Sequence, residues 1–74
     1  MNRKLIYKQL GNNIKRRRKE LGYTQEVLAE KINKGINFIG KIEIAFSKPS
    51  FDTIIDISYA LDIKLKDLLN FDKK

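Results

Sequence analysis

The chain has 74 residues, with 16 Lys/Arg against 9 Asp/Glu, a formal net charge of +7, and neither cysteine nor histidine. A domain of this size buries only about 60% of the surface its unfolded chain exposes, and without cysteine no disulfide or thiolate metal site can supplement the core. The longest stretch without a charge is six residues, far short of the about 20 apolar residues of a membrane span, and the charged opening "MNRKLIYKQL" has no apolar signal-peptide segment. These features point to a single cytoplasmic domain over residues 1–74 that has no membrane partner.

The charge is local. Residues 1–24 hold eight Lys/Arg against Glu20 alone, whereas residues 25–49 sum to +1 and residues 50–74 to −1. A basic patch on a small domain calls for a polyanion, with nucleic acid ahead of an anionic membrane surface.

The pattern is helical almost throughout. Ile6, Leu10, Ile14 and Leu21 share one stripe of a first helix over about residues 4–21, ended by Gly22. Residues 1–4 are expected to form a disordered basic arm, with Arg3 and Lys4 free to reach a DNA backbone. Thr24 is a good N-cap for a second helix to Ile32, carrying Val27, Leu28 and Ile32 on its apolar side. After "NKG", Asn33 to Gly35, a third helix spans about residues 36–44. Pro49 disfavours helix at Lys48, and Ser50 caps a fourth helix whose Ile54, Ile57 and Leu61 line one side. Leu65, Leu68 and Leu69 mark a short fifth helix, and residues 72–74 a tail. No stretch alternates like a strand, so the expected fold is all-α with five helices.

The absence of histidine and cysteine removes the commonest general base, nucleophile and zinc ligands. Asp52 and Asp56 lie on one helix face, where a solvated surface explains them. The four glycines are scattered rather than grouped into a phosphate loop. The chain is therefore expected to be no enzyme and to use no cofactor, metal or small-molecule ligand.

On the third helix, Ile36, Ile39 and Ile42 form an inward stripe, while Asn37, Lys41 and Ile44 face away. Such a face suits a DNA major groove, because Asn pairs with adenine, Lys donates to guanine and Ile touches a thymine methyl. The same pattern also describes a core helix with a polar back, and the helix alone does not decide. Gln25, opening the second helix, can meet a phosphate together with the free backbone N–H groups there. Leu28, Ala29 and Ile32 can pack on Ile39 and Ile42, with Ala29 permitting the two helices to cross closely.

The landmarks "IKRRRKELGYTQEVLAEKI", "IGKIE", "KPS" and "ALDIKLKDLL" fall without a gap between Leu10 and Leu69. Together they resemble the Cro and phage-repressor-like (XRE-type) helix-turn-helix family. The resemblance implies a five-helix, lambda-repressor-like DNA-binding domain, usually dimeric, with helices 2 and 3 as the helix-turn-helix and helix 3 in the major groove. By position it implies base contacts from Ile36, Asn37 and Lys41, phosphate contacts from Thr24, Gln25, Ser47 and Lys48, and an ion pair between Arg18 and Glu43. That pair also follows from the helix faces, since both residues border the core and a half-buried carboxylate needs a partner. The chain departs from the family pattern at Asn33 and Ala45, which stand in usual glycine positions. Lys34 replaces an apolar turn residue and Gly35 the usual Ser/Thr cap, while Ile44 and Phe46 are apolar where polar residues are common.

The function expected from this resemblance is a repressor that binds a palindromic operator in double-stranded DNA as a homodimer, with Ile55, Leu68 and Phe71 as subunit contacts. Prophage repressor, restriction-modification controller and antitoxin all remain open contexts. The alternative is a helix-turn-helix fold used as a protein-interaction module. Within the basic run Lys15 to Lys19, Arg17 is expected to lie along the apolar stripe, with Arg16 and Lys19 in water.

Overall fold

The computed structural model describes residues 2–71; the expected tail at residues 72–74 lies outside them. In chain order the helices are α1 (Arg3–Glu20), α2 (Gln25–Lys31), α3 (Phe38–Glu43), α4 (Phe51–Ala60) and α5 (Leu65–Leu68), and no strand occurs among the described residues. One core joins them: Leu10 and Ile14 from α1, Leu28, Ala29 and Ile32 at α2, Ile39 and Ile42 from α3, Ile54, Ile57 and Leu61 at α4, and Leu68 from α5. No described helix is long and apolar enough to cross a membrane.

The helix starts follow local chemistry. Asn2 Oδ1 accepts from the Lys4 N–H at 2.9 Å, so α1 begins at Arg3. Arg3 and Lys4 are therefore helical and not part of a disordered arm. Thr24 Oγ1 accepts from the Val27 N–H at 3.0 Å, and Ser50 Oγ from the Thr53 N–H at 3.2 Å, which satisfies donors that have no partner within α2 and α4.

Four helices end alike. In each, the third residue past the helix donates its N–H to the carbonyl five residues back, and the residue before it, at positive φ, donates three residues back. The pairs are Tyr23 to Arg18, Lys34 to Ala29, Phe46 to Lys41 and Ile63 to Ser58. The left-handed residue is Gly22 only once; elsewhere it is Asn33 at φ 61°, Ala45 at 62° and Asp62 at 50°. For an alanine that conformation costs about 1–2 kcal/mol. Asn33 and Ala45 thus adopt the left-handed conformation that glycine takes most readily.

α1 holds the other elements through its own side chains. Asn13 Nδ2 donates to the Leu68 and Asn70 carbonyls at 2.9 and 3.1 Å, closing the end of α5. Arg17, expected along the apolar stripe, uses its head group on the end of α4. Its Nε donates to the Leu61 carbonyl at 2.9 Å and its Nη2 to that of Asp62 at 3.1 Å, because the end of α4 offers carbonyls without a partner in the helix. At Gly11 the backbone of α1 lies directly on the end of α3. A Cβ there would stand 2.5 Å from the Glu43 carbonyl oxygen and 2.7 Å from that of Ile42.

Two expectations fail. α3 begins at Phe38 rather than at residue 36, because Gly35, Ile36 and Asn37 form a turn closed by the Phe38 N–H on the Gly35 carbonyl at 3.1 Å. Ile36 consequently leaves the inward stripe and is 61% exposed, while Phe38 packs beside the core. Leu68 has no exposed surface. Its side chain points into the core, so it offers nothing to a second subunit.

Alanine normally gains about 1 kcal/mol over glycine inside a helix. Gly11→Ala is nevertheless expected to destabilise by about 1–3 kcal/mol, because the obstructing atoms are backbone. Gly35→Ala is the matched control, since nothing lies within 4 Å of its added Cβ. Thermal unfolding followed by circular dichroism should show a lower Tm only for Gly11→Ala; equal Tm values would refute the close approach.

Candidate nucleic-acid interface

α3 has only six residues and no side-chain N-cap. A helix this short has little stability of its own, so its direction is set by what grips it. Ile39 and Ile42 are buried on its inner side, and Glu43, next to them, is only 5% exposed.

The Glu43 carboxylate is the grip. Arg18 Nε donates to Oε2 at 2.7 Å and Arg18 Nη2 to Oε1 at 3.1 Å, a bidentate pair. Gln25 Nε2 donates to Oε1 at 2.9 Å, and the remaining Arg18 nitrogen, Nη1, donates to the Tyr23 carbonyl at 2.8 Å. One carboxylate on α3 therefore ties down α1, the start of α2 and the turn between them. Among the described residues no buried side-chain nitrogen or oxygen lacks a partner. Gln25 Oε1 lies 3.2 Å from where a Gly40 Cβ would be, so the absence of a side chain at Gly40 leaves room for the amide. Gln25, expected from the resemblance to meet phosphate, stays exposed but commits one amide hydrogen to Glu43 and so helps to position α3. Its second amide hydrogen is the donor left for a ligand.

The turn from α2 to α3 runs through Asn33 at φ 61°, and the Lys34 ammonium lies 5.2 Å from the centre of the Phe38 ring. That cation–π contact spans the turn and braces the start of α3. Asn37 and Lys41 are exposed on its outer side, and Ile44 just past its end is 74% exposed. Ile36 joins this outer surface because it left the inner one.

The remaining sequence-chosen residues fall nearby. Thr24 uses its oxygen lone pair to cap α2, which leaves the hydroxyl hydrogen for a ligand. Ser47 is half-buried and Lys48 exposed on the loop after α3, with the Lys48 ammonium 5.7 Å from the centre of the Tyr7 ring. Ile55 and Phe71 are half-buried. Among the described residues no group of acidic or other ligand side chains could hold a metal ion.

Two helices joined by a tight left-handed turn, the second gripped from behind and polar in front, define a helix-turn-helix domain. Residues 14–68 match the HTH_3 helix-turn-helix family, and the chain belongs to that family. The HTH-type transcriptional regulator ImmR of Bacillus subtilis (strain 168) is 34% identical over 64 residues, which cover 86% of this chain and 50% of ImmR. The chain thus spans about half the length of that curated relative. The restriction-modification controller protein C.AhdI from Aeromonas hydrophila superimposes with a TM-score of 0.80 at 26% identity, over 84% of this chain and 94% of C.AhdI. The clp gene regulator ClgR from C. glutamicum shares the fold at a TM-score of 0.82 and 22% identity, over 86% of this chain and 83% of that one. All three of these proteins carry the names of regulators or controllers.

Removing one partner of a buried pair leaves the other charge stranded, at a cost of about 3–5 kcal/mol. Glu43→Gln is accordingly expected to lower the Tm sharply, whereas the double change Arg18→Met with Glu43→Leu should recover most of the loss. Gln25→Ala, which leaves the bidentate pair intact, should cost only about 1 kcal/mol. Denaturant melts of these variants check the order; a silent Glu43→Gln would show that the pair does not hold α3.

Proposed function

We propose that the chain is a sequence-specific double-stranded-DNA-binding transcriptional regulator, most simply a repressor, acting as a homodimer on a palindromic operator with α3 in the major groove. The observation that carries this reading is the division of α3. Its back is fixed by Glu43, Ile39 and Ile42, while the side chains of Asn37 and Lys41 face outward with no hydrogen bond or ion pair among the described residues. Asn37, Lys41 and Ile36 read base edges. Thr24, Gln25, Ser47 and Lys48 set the register on phosphates, since phosphate contacts position and base contacts specify. The names of ImmR and C.AhdI support regulation as the role.

In this reading two copies place their α3 helices about 34 Å apart, in successive major grooves. Leu68 cannot join that contact, and the outer side of α4 takes its place. Ile55 and Tyr59 lie one turn apart there, and Tyr59 is 79% exposed. Tyr59 stands between two shallow grooves, one containing Lys31 and Asp56 and the other Asp62 and Lys64. On a chain of net charge +7, that balanced surface is where a second copy meets the least repulsion. Tyr59→Glu is expected to shift sedimentation at micromolar concentration from dimer to monomer without changing the Tm; an unchanged dimer would exclude this surface.

The exposed Ile44 and Phe46, at 74% and 75%, favour a second reading in which the same fold binds a protein rather than DNA. Salt separates the two. Binding through several phosphates falls steeply between about 50 and 200 mM salt, whereas an apolar protein contact does not. Selection from a randomised duplex library should enrich a palindrome at low salt, and the absence of any enrichment would sink the DNA reading. On the enriched site Asn37→Ala and Lys41→Ala should each cost about 1–3 kcal/mol at one base pair. A uniform loss across all sequences would mean that these residues touch phosphates instead.

A further inference from the structure

A cleft of about 430 Å³ opens between the first turns of α1 and the loop after α3, lined by Arg3, Lys4, Tyr7, Ala45 and Lys48. Three of these five side chains are cations, none is acidic, and among the described residues none of the three is paired with a carboxylate. Bringing unpaired like charges around one opening raises their mutual repulsion, which an anion seated between them relieves. Lys48 is also held in place. Its ammonium lies 5.7 Å from the centre of the Tyr7 ring, and Pro49 restricts its backbone.

The walls of this cleft are tied to α3. Tyr7 stands one helical turn before Gly11, where α1 meets the Ile42 and Glu43 carbonyls, and Ala45 follows two residues after Glu43. The contact that fixes the direction of α3 therefore also fixes the distance from α3 to the cleft. Ala45, which lines the cleft, directly follows the exposed Ile44 at the end of α3.

We propose that this cleft seats one phosphate of the DNA backbone flanking the bases that α3 faces, with Arg3, Lys4 and Lys48 supplying the charge and Tyr7 holding Lys48 in place. The proposal rests on the DNA-reading function above and adds to it a rigid anchor built from α1. A phosphodiester is favoured over an anionic lipid surface because the opening adjoins α3 and is lined by side chains already ordered in the fold.

The test uses the full chain and a duplex carrying the enriched site, with affinity measured across a series of salt concentrations. Lys48→Ala, and separately the double change Arg3→Ala with Lys4→Ala, should each lower the slope of log affinity against log salt by about one, without altering base preference or Tm. Tyr7→Leu, which keeps the apolar packing, should weaken binding by roughly twofold to fivefold. A single uncharged methylphosphonate at the seated position should weaken wild-type binding at least as much as Lys48→Ala does, and should cost the Lys48→Ala variant less than it costs the wild type. Unchanged slopes in both basic variants, with wild-type binding intact, would overturn the cleft while leaving the DNA reading standing. No wild-type binding to any duplex overturns both, and binding instead to vesicles rich in phosphatidylserine would reassign the cleft to lipid.

Discussion

A six-residue helix with no N-cap cannot fix its own direction, and the Glu43 carboxylate does this for α3. It takes two hydrogen bonds from Arg18 and one from Gln25, so α1 and α2 are both fastened to the same group. Stability alone does not explain such an arrangement, because a well-packed apolar replacement of a buried pair is often as stable or more so. Its value here is directional, since fixed lone pairs accept only from donors at particular angles, whereas apolar packing tolerates rotation. The close approach at Gly11 acts along with it: α1 touches the last carbonyls of α3 and one turn and three residues later supplies Arg18.

The same economy governs the rest of α1. A small domain has many helix ends for its size, and each end leaves carbonyls without a partner. Asn13 and Arg17 close the ends of α5 and α4, and Arg18 also takes the Tyr23 carbonyl. Two of the five residues that read in the sequence as a basic run, Arg17 and Arg18, are therefore structural, leaving Lys15, Arg16 and Lys19 exposed. At the beginning of α1, Arg3 and Lys4 share a cleft with Lys48.

Most of the frame was legible because its signals are local. Thr24, Ser50 and Gly22 mark helix boundaries by their own hydrogen bonding and φ, and the isoleucines of α4 repeat with the helical period. What could not be read needed either a partner distant in sequence or a backbone choice that periodicity does not carry. Arg17 and Asn13 act on carbonyls 44 and 55 residues away, which no pattern on α1 announces. Ile36 fits an inward stripe only if the helix has already begun, and the turn at Gly35 delays it. Leu68 shows the limit of counting apolar residues, because spacing cannot say whether a leucine completes the core or leaves it. Gly11 did carry a signal: a glycine inside a long helix gives up stability relative to alanine, and a close backbone contact is the usual compensation.

The outward face of α3 also limits what one copy can achieve. Asn37 and Lys41 are its only polar side chains, with Gly40 between them on the flank facing Gln25 and apolar Ile36 and Ile44 at either end. At about 1–3 kcal/mol of discrimination for each good base contact, two such side chains fall at or below the lower part of the about 4–10 kcal/mol that separates specific from nonspecific binding. Adding phosphate contacts cannot close that gap, because they strengthen every site alike. Doubling the number of reading helices can. Under the proposed DNA-reading function, a reader this sparse would gain selectivity chiefly by binding as two copies at a fixed separation, with the hold of Glu43 and Gly11 on α3 making that separation a determinant of the site.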